Sequence, residues 1–119
     1  MEAKEILERA SDLLNRPGVF ISGHMRKEVN HNLTRFCAMG AINEVTGRKT
    51  NDEYEVLASE ENCKAVNALA EAILGYPPSS DIDAVDAVVE WNDSHRSVKH
   101  DAKNNWIRKM FDKAITKLP

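Results

Sequence analysis

The sequence carries two cysteines, Cys37 and Cys63, and the scarcity is informative. A secreted domain built on disulfides has more of them, at regular spacing. Each sits in apolar, helix-like surroundings with no cysteine nearby in sequence, so both are read as reduced thiols of a cytoplasmic protein. Aromatic residues are only 6% of the chain. Few of them interleave with the basic residues, which argues against a groove that stacks single-stranded bases. No apolar run reaches the length of a bilayer span. The start, MEAKEILERA, lacks the basic lead and apolar core of a signal peptide. The four histidines, His24, His31, His95 and His100, show no metal-ligand spacing. No Cys-x-x-Cys or His-Glu-x-x-His arrangement occurs, so neither a metal nor a cofactor is expected. A nucleotide loop, an internal repeat, a low-complexity segment and an interdomain linker are also missing.

What is present suits one ordinary globule. The chain has 119 residues, 42% hydrophobic and 29% charged, with a formal net charge of −3. A chain of this length buries roughly two thirds of its unfolded surface. One domain over residues 1–119 is expected, with a core that needs no disulfide or metal. The net charge favours neither a strongly basic nucleic-acid binder nor an acidic mimic of DNA.

The apolar pattern is helical almost throughout. Ala3, Ile6, Leu7, Ala10, Leu13 and Leu14 recur at helical spacing, with charged residues between them. Pro17 and Gly18 stop that helix. VFIS (19–22) reads as an extended piece with no evident partner strand, and GHMRKEVNHN (23–32) as a polar loop. A second helix is expected from about Asn32–Thr34 to Gly47, a left-handed C-terminal cap. RKTNDEYEV (48–56) reads as a solvated loop. Ser59 is placed to cap a third helix carrying Val66, Leu69, Ala70 and Ile73, which GYPPSS ends. A fourth begins at Ser80 or Asp81 and carries Ile82, Val85, Val88 and Val89. Ser97 is placed to cap a fifth, with Ile107, Met110, Phe111, Ala114 and Leu118 on its buried side. The fold class is therefore all-α: one compact domain of about five helices with long loops and at most a short hairpin after the first helix.

The nearest thing to a chemical motif is TRFCAMGAI (34–42). A catalytic cysteine needs a depressed pKa and a nearby base. Cys37 near a helix start, with His24 or His31 as base, meets that description on paper. The favoured reading is packing: Cys37, Gly40 and Ala41 fall on one side of the helix and let another helix approach. EWND (90–93) is read first as a helix end, with Trp91 in the buried stripe, Asn92 tolerating a left-handed turn, and Asp93 accepting from local amides. In the functional alternative, Trp91 and Asp93 line a pocket. Basic residues crowd the C-terminal helix, including Arg96, Lys99, Lys103, Lys109 and Lys113. These could meet an acidic protein or a phosphate backbone. Acidic residues gather at 52–61 and 81–90.

RFCAMGAI, EWNDSHRS and FDKAI, in that order, resemble a family of small bacteriophage and actinobacterial proteins known only as a domain of unknown function. The shared positions are Cys37, Gly40, Ala41, Trp91, Asn92, Asp93 and Ser97. The resemblance runs from ILERASDLL to FDKAI. One departure is GVFISGHM (18–25), where the family pattern has a Gly-Trp pair. The resemblance implies a phage context and no established activity. The expectation is a non-enzymatic accessory protein in the bacterial host cytoplasm that binds a host or phage macromolecule, preferably a protein, as an anti-defence or host-takeover factor does. The alternatives are a small cysteine-dependent enzyme using Cys37, and a nucleic-acid or nucleotide binder using the basic C-terminal helix.

Overall fold

The first helix, α1 (Ala3–Leu14), buries Ala3, Ile6, Leu7, Ala10 and Leu14, as its apolar period requires, while Leu13 is only partly covered. Its N-cap, Glu2, supplies no side-chain bond. The Ala3 N–H instead donates to Glu61 Oε2 at 3.0 Å, so a carboxylate from another helix meets the positive end of α1. The computed structural model describes residues 1–94 and 100–119, with side chains for all of these except 100–105.

After α1 the chain departs from an all-α fold. Arg26–Asn30 (β1) and Leu33–Phe36 (β2) form an antiparallel hairpin, with Arg26 opposite Phe36 and Lys27 opposite Arg35. At its tip the Asn32 N–H donates to Asn30 Oδ1 at 2.8 Å, an Asx-type turn. The 19–21 stretch lies along the other side of β2: the Phe36 N–H donates to the Val19 carbonyl at 2.8 Å, and the Ile21 N–H to the Phe36 carbonyl at 3.0 Å. The partner that VFIS seemed to lack is therefore Phe36, in a segment whose apolar spacing had suggested helix. The expected start of the second helix moves accordingly. That helix, α2, spans Ala38–Val45, with Cys37 as its N-cap. It closes through Gly47 at φ +80°, with bonds from Gly47 N to Glu44 O and from Arg48 N to Asn43 O, the paired closure in which a left-handed glycine satisfies the last carbonyls.

The expected loop over 48–56 also carries structure, a 3-10 helix at Glu53–Ala58 that buries Val56. Ser59 caps α3 (Glu60–Leu74) by accepting from Asn62 N, and α3 stops at Gly75, ahead of Pro77 and Pro78. Ser80 caps α4 (Asp81–Asp93), which buries Ala84, Val85, Val88, Trp91 and Asn92. Ile82, expected in that stripe, is 55% exposed, and Val89 is only partly covered. The final helix, α5 (His100–Ile115), buries Ile107, Phe111 and Ala114, with Met110 and Leu118 partly covered. The cap expected of Ser97 lies outside the described residues. α1 packs on α2, α3 and α5, and α3 on α4 and α5, around a core that includes Phe111, Met39, Ile42, Leu69 and Val85. The fold is mostly helical with one small antiparallel sheet.

Candidate functional site

Three segments distant in sequence meet above Cys37. The loop 23–25 leads into Arg26 at the start of β1, Asn51 and Glu53 stand at the start of the 3-10 helix, and Val89, Asn92 and Asp93 come from the end of α4. With Cys37 they line a cleft of about 300 Å³.

Asn92 ties these segments together. Its Oδ1 accepts from the Ala38 N–H at 3.0 Å, satisfying an orphan amide at the start of α2. Its Nδ2 donates to the Ile21 carbonyl at 3.4 Å and to Asp93 Oδ1 at 3.3 Å. The side chain is almost wholly buried, and its backbone is helical, not the left-handed turn expected from its residue type. Asp93 Oδ1 accepts from the Gly23 N–H at 2.9 Å, so its amide partner comes from the loop before β1 rather than the turn after α4. Met25 completes the floor: its carbonyl accepts from the Cys37 N–H at 3.1 Å and lies over Gly40. The close approach that the small residues permit is therefore by the loop backbone before β1, where a helix had been expected.

Cys37 caps α2 through sulfur, Sγ accepting from the Gly40 N–H at 3.4 Å. A helix start lowers a thiol pKa, and burial raises it. Here burial dominates, assisted by the charge of Asp93, and pushes the thiol up to about 11 despite the amides of Gly40 and Met39. At pH 7 that leaves on the order of one thiolate in ten thousand.

His24 lines the cleft with Cys37, whereas His31 is exposed at the hairpin tip and lines none of it. Arg26 projects into the cleft region but is held by Glu44 at 3.2 Å and Glu28 at 3.5 Å, with its guanidinium over the Phe36 ring. Trp91 stacks on Trp106 of α5 with centroids 4.6 Å apart and does not line the cleft, so the pocket imagined between Trp91 and Asp93 contains only Asp93. Lys109 and Lys113 are exposed on α5. Arg96 and Lys99 lie outside the described residues, as does the side chain of Lys103. Among the described residues no three His, Cys, Asp or Glu side chains come together to hold a metal ion, and no helix is long and apolar enough to cross a membrane.

The model of a family described as of unknown function, DUF6197, matches residues 1–115. The chain belongs to that family. Comparison with curated proteins and with solved structures gives no match. Membership accords with the uncharacterised family expected from the order of the motifs around Cys37 and Asp93. Within the family's matched span lie all ten lining residues of the cleft. Asn51 and Glu53 were missed in the sequence because a short polar stretch carries no periodic signal. Met25 and Arg26 were not picked out as site residues because residues 23–30 read as a polar loop with no apolar alternation.

Proposed function

We propose that the protein acts by binding: an accessory protein of the bacteriophage type that engages a host or phage macromolecule in the bacterial cytoplasm, as anti-defence and host-takeover factors do. The observation that carries this reading is the state of Cys37. The cysteine among the described lining residues of the cleft is buried, and burial pushes its thiol up to about 11, so the thiol form dominates at neutral pH. Around it stand side chains suited to recognition: an imidazole, a carboxamide and two carboxylates, from His24, Asn51, Glu53 and Asp93. The phage context rests on the motif order described above. A protein partner is favoured because the net charge is negative.

Capture from a bacterial host lysate by the tagged protein tests the reading. The wild type and Cys37→Ala should retain the same partner. Loss of capture in Cys37→Ala, with the fold intact, would return the cysteine enzyme to first place. The exposure of Arg108, Lys109, Lys113 and Lys117 on and after α5 supports a second reading, contact with a phosphate backbone. In a gel shift that reading requires tight, steeply salt-dependent binding that Lys109→Glu plus Lys113→Glu removes. The favoured reading requires that nucleic acid not compete for the captured protein.

A further inference from the structure

Part of the acidic stretch of the sequence gathers where the 3-10 helix meets α4. Between residues 50 and 95 the chain has eleven Asp and Glu against a single lysine, Lys64, and no arginine. Lys64 is already engaged by Glu60 and Glu61 at the start of α3. On α4 the positions 82, 86, 89 and 93 follow the four-three-four spacing of one helix strip. Ile82 and Asp86 are exposed, while Val89 and Asp93 reach the cleft. The 3-10 helix borders the strip. Its Tyr54 is 40% exposed and its hydroxyl donates to Asp86 Oδ1 at 2.7 Å, which fixes the ring beside the strip. That bond and the surrounding acids push the Tyr54 phenol up to about 12. Glu53, one residue earlier, lines the cleft. Among the described residues no lysine or arginine pairs with Glu53, Asp81, Asp83, Asp86 or Glu90.

An exposed tyrosine and isoleucine in a carboxylate field are what an interface needs from one side. Large apolar side chains serve as anchors, and tyrosine is enriched among residues that dominate binding energy. Unneutralised carboxylates around them steer an oppositely charged partner and repel phosphate. We propose that the α4 strip and the 3-10 helix form the docking surface for a basic protein segment. The segment sets an apolar side chain against Tyr54 and Ile82 and places a lysine or arginine at the mouth of the cleft beside Glu53. The proposal rests on the binding reading above and names the partner's chemistry. From Ile82 to Asp93 the strip is about 16 Å long, which fits about three turns of a partner helix.

Two acetylated peptides of about 12 residues and equal positive charge supply the test, one pairing arginine with leucine at helical spacing and the other pairing arginine with serine. Each is titrated into isotopically labelled protein, and backbone amide shifts are followed. The arginine–leucine peptide should shift amides at 53–54 and 82–93 and bind about tenfold more tightly than the arginine–serine peptide. Ile82→Ser should erase that difference, and Asp86→Asn should weaken both peptides without altering the circular dichroism. Equal binding of the two peptides would mean diffuse charge attraction and overturn the proposal, as would shifts confined to another face. A captured host protein that survives Ile82→Ser plus Asp86→Asn would also overturn this surface while leaving the binding function standing.

Discussion

A methyl group on Gly40 would stand 1.7 Å from the Met25 carbonyl oxygen, far inside any contact distance. That oxygen cannot retreat freely, because it accepts the Cys37 N–H at the start of α2. Gly40 therefore sets how closely the loop before β1 lies over the helix, and so the depth of the cleft. Gly40→Ala should cost about 3 kcal/mol, in the range of overpacked core sites. A urea melt reads this directly, and a loss under about 1 kcal/mol would show that the backbone at Met25 is more yielding than the geometry implies. Cys37, three residues away, belongs to the same packing unit. Its sulfur contributes a cap and a buried surface, and its proton is held by the lack of water around it.

At the scale of elements, the helices were legible because each carries its own signals. Ser59 and Ser80 cap α3 and α4 as their positions before acidic first turns suggest, and Gly47 and Gly75 end α2 and α3. A short hairpin after the first helix was allowed for, but its two strands were not legible. β1 has one apolar residue, Val29, and it faces solvent, so the strand exists by pairing and not by pattern. In β2, Phe36 falls at helical spacing from Met39 and Gly40, which extended the helix reading backwards through a strand. Phe36 is also the hinge of the small sheet, bonded to Val19 and Ile21 on one side and paired with Arg26 on the other. Phe36→Ala should cost about 3–5 kcal/mol, as for other buried aromatic truncations, whereas Val29→Thr at the exposed tip should change stability by under about 0.5 kcal/mol. Similar effects of the two substitutions in thermal melts would mean that the sheet does not anchor the core as described. The candidate site was legible only in part for the same reason. Cys37, His24 and Asp93 stood out by residue type, while Asn51, Glu53 and Asn92 acquire a role only when three distant segments meet.

Across the whole molecule, a net charge of −3 conceals a division. The acidic surface of the 3-10 helix and α4 borders the cleft, and the described basic residues of the C-terminal helix lie on another element. Such a division of charge steers oppositely charged surfaces before contact, which is what the proposed binding function requires. The account requires that the cleft recognise and that its sulfur stay inert. Iodoacetamide labelling of the intact protein near neutral pH, followed by mass spectrometry, tests that requirement most directly. Cys63, half-buried, should react first. Cys37 should label only as fast as the domain opens, so that Leu14→Ala, which destabilises the core, accelerates it. Labelling of Cys37 at the rate of a free thiol, indifferent to global stability, would contradict the account.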